Sequence, residues 1–228
     1  MRRLLTSTFA ALLIAVQVCS VPATAADSAP GTALDHYLNG LTTLKASFTQ
    51  SVTDAQGKQT DGGSGTFLVQ RPGKFRWDYQ PASGAASDKG AAGDKGGQLL
   101  VADGRNVWFY DRELSQVTVK PVTQALTATP VMLLSGSPQQ LHDAFDIVAD
   151  GTQGGIDWVK VTPHGSEADF TQARLGFAHD QLVRMQVNDR LGQTVQMDFA
   201  HSERNARVNP EDLQFKPPAG VDVIGTPQ

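Results

Sequence analysis

Cysteine is almost missing from this chain: 228 residues contain one, Cys19. Residues 1–25 read as a removable leader, so the rest of the chain would carry no thiol. It would then have no disulfide, even in a compartment that permits one. Phosphate-cradling glycine loops are missing too. There is no P-loop and no dinucleotide fingerprint. No Gly-x-Ser-x-Gly elbow occurs. Residues 63–65 and 135–137 read as Gly/Ser turns, and Ser64 precedes a strand instead of joining strand to helix. His36, His142, His164, His179 and His201 never fall at the i, i+4 spacing of a helical metal pair, and they read as surface residues. Asp143 with Asp146, or Glu211 with Asp212, would do acid–base work only in a cleft, and read as solvated faces. The sequence thus indicates no catalytic constellation, metal or cofactor.

A long apolar run occurs once, at residues 4–18. Arg2 and Arg3 precede it and Ala23-Thr24-Ala25 follows it. Positive start, short apolar core and Ala-x-Ala site together read as a secretory signal cleaved before Ala26. The apolar run is short for a membrane span. Cys19 supports a second reading, acylation at that residue, but Val18 and Gln17 stand where a lipobox wants small residues. Removing Arg2 and Arg3 with the leader, which holds no acid, moves the formal charge from −4 to −6. A mildly acidic surface argues against nucleic acid or anionic membrane as the main partner.

Residues 26–228 suit one domain with a sizeable core. Leu34, Leu38, Leu41 and Leu44 recur at helical spacing after a possible N-cap, Thr32, and predict a helix over 32–43. The period then changes to two at Ala46, Phe48, Gln50 and Val52. A turn-rich loop over 54–63 is expected, followed by strands at 65–69, 75–79, 99–101, 106–110 and 116–120. Residues 129–134 and 138–145 read as two short helical pieces, the first very apolar. Strands resume at 145–149, 156–162, 174–178, 182–188 and 194–200, with turn residues between them. Many short strands on hairpin turns predict an antiparallel sheet or barrel, mainly β.

The stretch 82–97 fits none of this. It is rich in Gly, Ala and Ser and repeats Asp-Lys-Gly, which reads as a flexible surface insert. Deleting residues 85–96 is expected to leave stability and activity nearly unchanged, because such a change in loop length shifts closure entropy by only about 1 kcal/mol. Thermal unfolding and cellular complementation by the deletion variant check this. Loss of complementation with the fold intact would make the insert a functional contact.

Apolar side chains exceed what one helix and a small barrel need. Phe75, Trp77, Trp108, Tyr110, Met132, Leu133 and Leu134 are the surplus. Phe75, Trp77 and Tyr79 share one face of a strand. Arg71 stands beside that row, and a charged fork of five donors next to apolar surface needs carbonyl or carboxylate partners.

Three segments carry a resemblance: Arg71-Pro72-Gly73-Lys74-Phe75-Arg76-Trp77, Ala46-Ser47-Phe48-Thr49-Gln50 and Phe215-Lys216-Pro217-Pro218-Ala219-Gly220-Val221-Asp222-Val223. Taken in order over nearly the whole chain, they resemble the periplasmic outer-membrane lipoprotein carriers of the LolA type. The resemblance implies an incomplete, unclosed antiparallel β-barrel with a short-helix lid over an apolar cavity. It implies a monomeric periplasmic chaperone of Gram-negative bacteria. Such carriers shield the acyl chains of lipoproteins between an inner-membrane ABC transporter and an outer-membrane receptor. The family's lid-locking arginine matches Arg71, with lid carbonyls in 131–134 and near 34–38 as the expected partners. Its mouth phenylalanine matches Phe75. The acyl-binding surface would then comprise Phe75, Trp77, Trp108, Met132, Leu133, Leu134, Leu34, Leu38 and Leu41. The insert at 82–97 and a longer N-terminal lead depart from the family. Two alternatives stay open: the outer-membrane receptor of the same fold, anchored through Cys19, and an enzyme acting on lipids in a barrel cavity.

Overall fold

Period-two alternation organises the chain into one sheet. The structure is a computed structural model and describes residues 31–82, 96–122, 130–166 and 168–228. The first half supplies β1 (Thr43–Thr53), β2 (Gln59–Gln70), β3 (Lys74–Pro81), β4 (Gln98–Ala102), β5 (Asn106–Asp111) and β6 (Gln116–Pro121). The second supplies β7 (Phe145–Gln153), β8 (Ile156–Pro163), β9 (Phe170–Ala178), β10 (Gln181–Asp189), β11 (Thr194–Arg204) and β12 (Asp222–Ile224). The order across the sheet is β12-β6-β5-β4-β3-β2-β1-β11-β10-β9-β8-β7. Two antiparallel meanders therefore meet along β1 and β11. The outer strands, β7 and β12, do not pair, so the sheet is open and unclosed.

Three short α-helices accompany the sheet among the described residues: α1 (Ala33–Leu38), α2 (Met132–Ser135) and α3 (Pro138–Ala144). Thr32 caps α1 through a reciprocal pair with Asp35, and Ser137 caps α3 through the same device with Gln140. Leu34, Tyr37 and Leu38 of α1, Leu133 and Leu134 of α2 and Leu141 of α3 are all buried in one core with the sheet.

Two expectations needed correction. The helix predicted over 32–43 stops at Leu38. Asn39 caps it and Gly40 takes φ +68°, a conformation that ends helices and favours glycine. Leu44 thus belongs to β1, although its spacing continues the leucine stripe. The loop predicted over 54–63 shrinks to a tight turn. Asp54 Oδ1 accepts from the N–H groups of Gln56 and Lys58, and β2 begins at Gln59. Gly63 and Gly65 are strand residues, not turn residues. A Cβ on Gly65 would lie 2.1 Å from the Asp78 carbonyl and 2.5 Å from the Phe48 ring. Glycine is there because the Phe48 ring lies against the strand.

Register fixes which side chains share a face. Phe199, Phe48, Gly65 and Tyr79 align across β11, β1, β2 and β3. Ala46, Phe67, Trp77 and Leu100 form the next row. This face carries the main core. The opposite face of β4–β6 carries a smaller one, built from Leu99, Val101, Trp108, Val117 and Val119. Phe215 and Val221 cover it from the C-terminal segment. That segment ends with Gln228 exchanging two hydrogen bonds with the buried Asn106 side chain. β12 joins the sheet there, parallel to β6.

An apolar cavity under an arginine-held cover

A cavity of about 290 Å³ lies between the main sheet face and the α2 segment. Its floor is aromatic at one side: Phe48 on β1, Phe67 on β2, Trp77 on β3 and Leu100 on β4. Met185 and Val187 on β10, with Val195, Met197 and Phe199 on β11, make the other side. Pro130, Val131 and Leu134 form the cover. The Phe48 ring stacks on Trp77 at 5.9 Å, and Phe199 contacts both Phe48 and Phe67 at 6.4 Å. Among the described residues Gln50 is the one polar residue of the wall. Among the described residues no titratable group stands in it.

Arg71 lies in the tight turn between β2 and β3. Its Nη1 donates to Leu38 O at 2.7 Å and to Leu41 O at 3.4 Å. Its Nε and Nη2 both donate to Gly136 O, at 3.2 and 2.7 Å. Leu38 ends α1 and Gly136 caps α2. Helix C-termini leave carbonyls without intrahelical partners, and one guanidinium fork supplies donors to two such ends. Burial lowers the Arg71 pKa from its usual value, yet arginine stays charged. Gly73 N–H adds a bond to Ser135 O at 2.8 Å. The turn thus fastens α1 and α2 to the sheet.

A second contact joins α3 to α1. His142 Nε2 lies 3.0 Å from Asp35 Oδ1. Burial would raise the Asp35 carboxyl, but hydrogen bonds from Thr32 and His142 outweigh it and hold its pKa below the usual value. His164 faces Asp146 and the Asp143 carbonyl, and these hydrogen bonds raise its pKa. Neither histidine lines the cavity. Among the described residues no group of three or more His, Cys, Asp or Glu is placed to hold a metal ion.

Of the residues singled out from the sequence, Trp77 and Leu134 line the cavity. Leu133, Leu34, Leu38 and Leu41 are buried in the core behind it, and Met132 packs on that core, half-buried. Phe75 is only 1% exposed and pairs with Val69 and Ala102. It stands in the core, not at an entrance. Trp108 is a correction. It opposes Val101 and Val119, so its parity places it on the far face of the sheet. There it packs on Phe215 at 5.6 Å and donates its Nε1–H to Asp103 Oδ2 at 2.8 Å. Trp108→Ala is expected to cost roughly 3–5 kcal/mol of stability, the usual range for a large aromatic, while cavity binding per folded molecule stays unchanged. Denaturant unfolding beside a binding titration checks both halves.

Sequence reasoning missed Phe48, Phe67 and the wall from β10 and β11. The signal was present, because Val195, Met197 and Phe199 alternate with Gln196, Asp198 and Ala200. What was absent was the β1–β11 pairing that brings this row beside Phe48.

Comparison with known proteins agrees with this geometry. The family described as "Outer membrane lipoprotein carrier protein LolA" matches residues 39–216. An outer-membrane lipoprotein carrier protein of Methylococcus capsulatus is 37% identical over 216 residues, covering 95% of this chain and 97% of the relative. One from Nitrosomonas europaea is 36% identical, covering 93% and 96%. An uncharacterized conserved protein from Thermus thermophilus shares the fold, with a TM-score of 0.51 at 14% identity, covering 84% of this chain and 96% of that one. A family match over most of the chain, with relatives this similar over nearly their full length, means that the chain belongs to the LolA family of outer-membrane lipoprotein carrier proteins.

Proposed function

We propose that this protein is a periplasmic carrier, not an enzyme, that shields the acyl chains of lipoproteins in transit to the outer membrane. Its cargo would arrive from an inner-membrane ABC transporter and leave to an outer-membrane receptor. Residues 1–25 would direct export and be removed. One observation carries the reading: an apolar cavity whose cover is fastened through Arg71 to main-chain carbonyls. Each buried methylene stabilises the bound state by about 0.8 kcal/mol, so long acyl chains cannot cross water unshielded. The cavity is at the small end for ligand sites. Two or three long chains need more room, so loading requires the cover to move. Hydrogen bonds that break on loading let the empty, closed state drive handover.

The test is displacement of an apolar fluorescent probe. The monomeric protein is expected to bind the probe and to release it when acylated peptide is added. Displacement by an unrelated small ligand, with none by acylated peptide, would sink the carrier reading. Mass spectrometry of the mature N-terminus separates carrier from receptor: a start at Ala26 supports the carrier, and an acylated Cys19 supports the receptor.

A further inference from the structure

Two of the described cavity-lining residues carry a buried polar side-chain atom. Gln50 Oε1 and Trp77 Nε1 are both buried, and neither has a hydrogen-bond partner among the described residues. Unpaired buried polar atoms are rare in native structures and destabilise the fold until something pairs with them. An apolar residue at position 50 would serve a sheath for bare hydrocarbon better than glutamine does.

Both side chains belong to one chamber. Gln50 follows Phe48 by two residues on the inward face of β1, and the Trp77 ring stacks on Phe48 from β3. Their chemistry is complementary to one group. An indole N–H only donates, and a carboxamide both accepts and donates. A hydrocarbon offers nothing to either. An ester offers a carbonyl oxygen alone. A secondary amide offers a carbonyl to the indole or carboxamide donor and an N–H to the carboxamide oxygen.

We infer that Gln50 and Trp77 form a polar recognition pair inside the cavity, reading the amide group through which a long acyl chain is joined to its cargo. The inference rests on the carrier reading and sharpens it. The cavity selects acyl chains by their linkage as well as by their length. Phospholipids, whose chains are held by esters, satisfy only half of the pair.

Three displacers of equal chain length test this against an apolar dye: a palmitoyl-glycine amide, the matching ester, and a hexadecyl ether. The parent is expected to prefer the amide. Gln50→Leu is expected to weaken the amide about tenfold, the loss of one buried hydrogen bond, and to leave the ether unchanged or tighter. Trp77→Phe is expected to weaken amide and ester together relative to the ether. Gln50→Met, a closer match in shape, should repeat the Gln50→Leu result. A parent that binds all three alike, or variants that shift all three alike, would overturn the pair while leaving the carrier reading in place. A parent that binds none of the three overturns both.

Discussion

Arg71→Leu is expected to bind acyl cargo more tightly than the parent by one or more powers of ten, and to hand it on poorly. The two short bonds of the guanidinium, to Leu38 O and Gly136 O at 2.7 Å each, fasten α1 and α2 in the closed state. Hydrogen bonds from a charged donor contribute roughly 1.5–3 kcal/mol each. Cargo must open the cover and break them, so their free energy opposes loading. Leucine removes that opposition and adds apolar surface beside the cavity. The loaded state gains relative to the empty one, and about 1.4 kcal/mol is one power of ten in affinity. The same change makes release less favourable, because the closed, empty state no longer recovers those bonds. Transfer from loaded carrier to receptor is the measurement. Release at the parent's rate, or a variant that does not fold, would make Arg71 a structural residue and not a lock.

The turn that holds Arg71 was legible because its neighbours are chemically loud. A cation beside alternating aromatics has few ways to be satisfied, and lid carbonyls were the expected partners. Of the actual carbonyls, Leu38 lies in the expected stretch, while Leu41 and Gly136 lie just beyond the expected residues, towards the helix ends. They follow from where helices leave carbonyls unpaired, but only once α1 is known to stop at Leu38. That stop was written in Asn39-Gly40 and was overridden by the leucine spacing. Trp108 shows a different limit. A strand of 106–110 was correctly placed, yet which of its faces meets the cavity depends on register with β4 and β6. One residue of parity moves every side chain to the other face. Phe199 and Met197 were hidden for a third reason. Their partner strand, β1, is about 150 residues earlier, and nothing local announces so distant a pairing.

Met197→Glu is expected to fold and yet to lose acyl binding by two or more powers of ten at neutral pH. Met197 is half-buried on β11, lies in register with Gln50 and Met185, and lines the cavity wall. With the cavity empty, a carboxylate there can keep water around it. Acyl chains that fill the cavity must strip that water. The neighbouring cation, Arg184, cannot compensate, because it sits on the opposite face of β10 and pairs with Asp198 at 2.5 Å. Burying a carboxylate without a partner costs several kcal/mol, and each 1.4 kcal/mol or so is a factor of ten in affinity. Loading raises the carboxyl pKa by desolvation. The loaded state therefore binds a proton that the empty state gives up, and affinity should recover as pH falls. Met197→Leu supplies the control, since a shape-conserving apolar exchange costs under about 1.5 kcal/mol. Binding isotherms of an acylated peptide across pH, beside thermal unfolding of both variants, make the measurement. A folded Met197→Glu protein that binds acyl chains with the parent's affinity at neutral pH would place those chains somewhere other than this cavity.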